Sequence, residues 1–134
     1  TLNVPGLAGL CAGVEWILAQ GVETLARREQ ALTVLFYGRI RDLPNVKSYG
    51  DPEMTPRAPI VSLNIWGEDS ARIADILWEE YGICVRAGAH CAPLMHKALG
   101  TAEEGTVRFS FSHFNTEAEV LQAAAAVREL AQEA

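Results

Sequence analysis

Four of the chain's six prolines, Pro44, Pro52, Pro56 and Pro59, stand between Asp42 and Pro59 in company with Asn45, Gly50 and Asp51. Proline lacks the backbone donor that a helix interior or central strand needs, so regular structure stops here apart from one short strand, Val46 to Tyr49. The chain is thereby divided into a helical first part and a mixed remainder. From Leu7 to about Arg41 apolar residues return at three- and four-residue steps, first Leu10, Val14, Ile17 and Leu18, then Leu25, Leu32, Leu35, Phe36 and Ile40. That spacing predicts helix with a core-facing stripe, broken or kinked at Gly21, with Arg27, Arg28, Glu29 and Arg39 on the solvated side. Gly6, Gly9 and Gly13 cost helix stability but let another backbone approach closely, which predicts a packing interface.

Downstream of the prolines, Ile60 to Ile65 alternates like a strand with one buried face. Asp69 or Ser70 caps a helix carrying Ile73, Ile76 and Leu77, with Gly82 placed at its end. Ile83-Cys84-Val85 reads as a short buried strand, followed by the loop Arg86-Ala87-Gly88-Ala89-His90 and a short helix from about Ala92 to Leu99 that Gly100 ends. Between Thr106 and Ser112, Val107, Phe109 and Phe111 share one face, which turns Arg108 to the other. Thr116-Glu117-Ala118-Glu119 is a capping box opening a helix to about Ala131, with Val120, Ala124, Val127 and Ala131 inward. The expected fold is a two-layer α/β domain in which helices cover a small mixed sheet.

With 134 residues, 49% hydrophobic, and a net charge of −6, the composition is that of one globular domain able to bury a core without staples. No stretch approaches the ~20 apolar residues of a membrane helix, and the start shows no signal-peptide pattern, so no membrane and a cytoplasmic location are expected. Nine arginines and two lysines, none clustered beyond Arg27-Arg28, make no footprint for a phosphate backbone, so nucleic acid is not an expected partner. Three cysteines without a C-x-x-C pattern fit reduced thiols.

The chemistry is expected between Arg86 and Arg108. Cys91 precedes Ala92-Pro93, and proline suits the first turn of a helix, so Cys91 reads as the N-cap, where the helix dipole and free N–H groups favour a thiolate. His90 and Arg86 stand close in sequence. Cys91 is then either a displayed nucleophile or a small buried hydrophobe, while Cys84 and Cys11 read as structural and protected by burial. Cys84, His90, Cys91, His96 and His113 match no usual zinc spacing, so no metal is expected, and His96 reads as partly exposed. Arg108 can pair with an internal carboxylate, or hold a substrate carboxylate in a two-bond fork.

Arg86-Ala87-Gly88-Ala89-His90-Cys91-Ala92-Pro93-Leu94, Gly105-Thr106-Val107-Arg108-Phe109-Ser110 and Phe114-Asn115-Thr116-Glu117 closely resemble the C-terminal part of the cysteine desulfurase and selenocysteine lyase family. These are class V, fold-type I pyridoxal-phosphate enzymes, and the opening Thr1-Leu2-Asn3-Val4-Pro5-Gly6 also resembles them. The resemblance implies a small domain spanning residues 1–134, with the N-terminal cofactor domain and its imine lysine absent from this chain; neither Lys47 nor Lys97 matches that lysine. It implies sulfur transfer from L-cysteine, or selenium from selenocysteine, to Cys91, with alanine as product and Arg108 on the substrate carboxylate. Arg86 and His90 would support the loop, and Thr1 would reach the cofactor phosphate of the neighbouring subunit of a homodimer. A sulfur-acceptor protein and iron–sulfur cluster assembly follow from the same resemblance, and the isolated chain is expected to be inactive. Two other readings are a class V lyase or transaminase in which Cys91 is incidental, and a non-catalytic interaction module.

Overall fold

Two helices open the chain. The structure, a computed structural model, describes residues 1–51, 54 and 56–133. Helix α1 (Val4–Gln20) begins where the Asn3 side chain accepts the Gly6 N–H at 3.0 Å, with proline in its first turn. A Cβ on Gly6 would stand 2.6 Å from the Asn3 amide nitrogen, so this glycine serves the cap. Gly21, at φ +84°, ends α1 and starts α2 (Val22–Ile40). The expected break at Gly21 is there, but the expected core stripe of α1 is not. None of its residues is buried, Leu10, Val14, Ile17 and Leu18 are exposed, and Gly9 and Gly13 look onto open space. Near its C-terminal end Trp16 stacks on Phe114, with ring centroids 5.4 Å apart, and meets His113 edge-on.

The sheet has the order β1-β2-β3, with β1 at Val46–Tyr49, β2 at Ile60–Ile65 and β3 at Val107–Ser110. Both pairings are antiparallel, placing Lys47 opposite Asn64 and Ser62 opposite Arg108. The sheet is therefore antiparallel rather than mixed. The difference lies in Ile83-Cys84-Val85, which forms no strand: Ile83 and Val85 pack partly buried against the core while Cys84 turns outward. The backbone finds a ladder partner only at Arg86, which bridges Arg108. Pro52 of the proline-rich stretch lies outside the described residues.

One core fills the space between the sheet and the helices. Val61, Leu63, Ile65, Val107 and Phe109 meet Phe36 and Ile40 of α2, Ile73 and Leu77 of α3 (Ser70–Glu79), and Val120 and Val127 of α5 (Glu117–Glu133). Phe36 lies 4.7 Å from the Phe109 ring centroid and 5.2 Å from that of Phe111. Ala123, Ala124 and Ala126 are buried too, so the alanine run does more than favour helix: its small side chains let α5 lie close against α2. Asp69 caps α3 through bonds from the Ala71 and Arg72 N–H groups, and Gly82 follows at φ +67°. The capping box of α5 forms in both directions, Thr116 N–H to Glu119 Oε2 at 2.7 Å and Glu119 N–H to Thr116 Oγ1 at 3.2 Å. That backbone bond to Thr116 holds the Glu119 carboxyl below its usual range. Among the described residues no helix is long and apolar enough to cross a membrane.

Candidate functional site

The segment from Arg86 to Gly88, which precedes β3 in the chain, lies along that strand's outer edge. Arg86 N–H donates to Arg108 O at 3.2 Å and Arg108 N–H to Arg86 O at 2.8 Å; Gly88 and Thr106 exchange bonds of 3.1 and 3.2 Å. The two segments touch most closely at glycine. A Cβ on Gly105 would stand 2.5 Å from the Gly88 Cα, and Gly105 itself has φ +66°. Gly105→Ala is therefore expected to lower stability by roughly 1–3 kcal/mol, through strain at a left-handed residue and displacement of the 86–88 segment. Urea unfolding checks this, and an unchanged midpoint would show that the close approach relaxes without cost.

Past Gly88 the chain reverses in a tight turn that the Ala92 N–H closes on Ala89 O at 2.8 Å. Its two central residues, His90 and Cys91, both lie in the left-handed region at φ +51° and +60°. Each such non-glycine residue costs on the order of 1 kcal/mol and persists only where neighbours hold it, a pattern that gathers at functional sites. The turn leaves Cys91 exposed. It also removes Cys91 from the N-cap position expected for it: Ala92 is the N-cap of α4 (Pro93–Leu99). An N-cap residue takes an extended backbone conformation, which the left-handed Cys91 does not.

In place of a helix terminus, an arginine attends the thiol. Arg86 Nη2 stands 3.6 Å from Cys91 Sγ, a donor complementary to negative charge on that sulfur. His90 turns back instead of meeting the thiol: its Nε2–H donates to Arg86 O at 2.9 Å. Burial holds the His90 imidazole below its ordinary pKa; the bond to Arg86 O opposes this, and the charges of Arg108, His96 and Arg86 add to the lowering.

Arg108 gives both its backbone N–H and its C=O to Arg86, and on the other side it stands opposite Ser62 of β2. Its side chain points away from the core, as the alternation predicts, and is half-buried. No internal carboxylate pairs with it among the described residues, and its Nε is buried without a hydrogen-bond partner. A guanidinium held this way keeps its planar fork for an anion from outside.

Other expectations separate here. Cys84 and Cys11 are exposed, so neither is protected by burial; Cys84 lies in an unpaired segment, and Cys11 rides on the uncovered α1 with its Sγ 3.5 Å from Glu15 Oε1. Thr1 is exposed at the start of the chain, and among the described residues no hydrogen bond or ion pair joins it to Cys91 or Arg108. Lys47 sits over the Tyr49 ring, 5.1 Å from its centroid, and Lys97 lies in the last turn of α4; neither is joined to the Cys91 turn. His96, by contrast, is buried, and its Nδ1 lies 2.8 Å from Oγ1 of the buried Thr101. Hydropathy could not reveal this, since His96 is the one buried residue of α4 while the apolar Leu94, Met95 and Leu99 are exposed.

The class-V aminotransferase model matches residues 1–122. The chain belongs to that family. This class-V aminotransferase chain is 35% identical over 121 residues to a probable cysteine desulfurase of Methanothermobacter thermautotrophicus, covering 90% of this chain and 30% of the relative. It is 29% identical over 120 residues to the cysteine desulfurase CsdA of Escherichia coli, covering 90% of this chain and 28% of that protein. The apo structure of the cysteine desulfurase from Thermococcus onnurineus superimposes with a TM-score of 0.91 at 34% identity, over 100% of this chain and 32% of the other. The E. coli CsdA structure in its S-sulfonic acid form gives 0.85 at 28% identity, over 99% and 31%. The class-V chain thus spans about 30% of the length of each of these relatives.

Proposed function

We propose that residues 1–134 form the C-terminal small domain of a pyridoxal-phosphate-dependent cysteine desulfurase, in which Cys91 takes sulfur from L-cysteine. The observation that carries this reading is an exposed thiol held in a left-handed turn 3.6 Å from Arg86, whose backbone bridges Arg108 of β3, an arginine with no carboxylate partner among the described residues. The names of the relatives support the same reaction.

Arg108 binds the substrate's α-carboxylate through its fork and so fixes the amino acid in one orientation. The Cys91 thiolate attacks the substrate sulfur. An S–S bond forms as the substrate's C–S bond breaks, the electron pair stays with the β-carbon, and a proton completes alanine. Cys91 is left as a persulfide, its sulfur oxidised as the carbon is reduced, with no outside oxidant needed. Arg86 balances charge on the sulfur, and His90, bonded to Arg86 O, holds the turn.

Pyridoxal phosphate would make the β-carbon able to hold that electron pair. Lys47, over the Tyr49 ring, and Lys97, at the end of α4, do not fit the imine-forming role. We assign that role to residues outside this chain, which alone should be inactive. In a homodimer Thr1 would reach the cofactor phosphate of the neighbouring subunit. A cytoplasmic location suits the three free thiols, and a protein acceptor would carry the persulfide sulfur onward, toward iron–sulfur cluster assembly. The test is product analysis on the full-length enzyme: L-cysteine should yield alanine and transferable sulfur in equal amounts. A keto acid formed by amino transfer would overturn the reading.

A further inference from the structure

Beneath the Cys91 turn lies a pair of buried polar side chains that the proposed chemistry leaves unused. His96 is 4% exposed and Thr101 is 3% exposed, and the one hydrogen bond between their side chains is His96 Nδ1 to Thr101 Oγ1 at 2.8 Å. That hydroxyl has no other partner among the described residues. A buried hydroxyl needs a hydrogen-bond partner, and here that partner is the His96 ring, held at its Nδ1. The ring so clamped lies against His90, with centroids 5.6 Å apart. The same segment holds the loop through its backbone: Thr101 N–H donates to His96 O, Gly105 N–H donates to Thr101 O, and Gly105 abuts Gly88.

We propose that His96, clamped by Thr101, is a positioning residue that packs under the His90 ring and so holds the left-handed turn presenting Cys91 to its reaction partner. A turn with two consecutive left-handed non-glycine residues relaxes unless something over-determines it. His90 is gripped from two sides, by its bond to Arg86 O and by the His96 ring. The charged and titratable groups facing it are Arg86 on its own loop, Arg108 on β3 and His96 on α4. Thr101 never meets the sulfur: it orients His96, His96 supports His90, and His90 precedes Cys91.

The inference rests on Cys91 being the reacting thiol, but its test needs neither substrate nor cofactor, so its failure is distinct from failure of the desulfurase reading. In the 134-residue chain, iodoacetamide alkylation of Cys91 is followed by mass spectrometry relative to the exposed Cys84, which has no link to His96. The His90 titration is followed by NMR in the same samples. Thr101→Val, nearly isosteric, and His96→Ala should each lower the Cys91:Cys84 rate ratio about fivefold or more, as a thiol no longer held in place loses its favourable geometry. Both should raise the His90 midpoint toward its ordinary value as the ring loses cover. Thr101→Ser, which keeps the hydroxyl, should retain both wild-type values. Should His96→Ala fail to fold, Thr101→Val decides alone. A folded Thr101→Val protein with unchanged ratio and His90 midpoint, even at lowered Tm, overturns the proposal, and so does a Thr101→Ser protein that behaves like Thr101→Val.

Discussion

Cys91→Ser in the full-length enzyme is expected to lower alanine formation from L-cysteine by at least about a thousandfold, because a serine hydroxyl is almost never ionised near neutral pH whereas an ordinary thiol, with a pKa of about 8.5, is ionised to a few per cent. The substrate's sulfur must be displaced from carbon by a soft anionic nucleophile, and oxygen cannot supply one there. The side chains are nearly the same size and Cys91 is exposed, so the fold should be unaffected. Thermal unfolding of the variant should match wild type while steady-state alanine production collapses. Retained alanine production would make Cys91 incidental and favour another class-V chemistry.

Arg108→Lys should be the next most severe lesion, although it keeps the charge. A lysine ammonium is a point donor and cannot reproduce the planar two-bond fork on a carboxylate. The β3 strand lies between β2 and the segment at Arg86, to which Arg108's own backbone is bonded, and will not shift to compensate. Misplacement of a bound substrate by about 1 Å can cost on the order of a hundredfold in rate, so kcat/KM for cysteine should fall at least that far while the cofactor's absorbance is unchanged. Arg86→Lys should be milder, since a lysine can still place a positive charge beside the sulfur. Near-normal kcat/KM in Arg108→Lys would remove Arg108 from the substrate site.

The parts of the fold that were legible in the sequence are those in which a local signal and the packing agree. The alternation around Phe109 placed Arg108 on the face opposite the core, and the Thr116–Glu119 pair marked the start of α5 to the residue. Where a signal says only that a surface is apolar, it misleads about what covers it: the stripe of α1 repeats like that of α2, yet only α2 has a sheet and α5 to pack on. Ile83 and Val85 have the side chains of a strand, but strand formation also needs a backbone partner, and β3 supplies one only from Arg86 onward.

The site followed the same logic. Cys91, Arg86 and Arg108 stood out by residue type; the turn at His90 and Cys91 returns the sulfur to Arg86, and the Arg86–Arg108 bridge is a long-range pairing that no local pattern announces. The N-cap expected at Cys91 fell one residue short because Pro93 fixes the first turn of α4 behind Ala92, leaving Cys91 in the turn before it. The burial of His96 was hidden because hydropathy favours Leu94 and Met95 as the inward residues, whereas the Thr101 hydroxyl gives the inward imidazole a hydrogen-bond partner.

The most direct measurement is to locate the sulfur. The full-length enzyme, given one brief exposure to L-cysteine without an acceptor, is trapped with an alkylating agent, digested and mapped by mass spectrometry, with Cys11 and Cys84, both exposed in this chain, as internal references. One added sulfur atom should appear on Cys91 in step with the first equivalent of alanine, and on neither reference thiol. Alanine released while Cys91 stays unmodified, or added sulfur on Cys84 or Cys11 instead, would contradict the account.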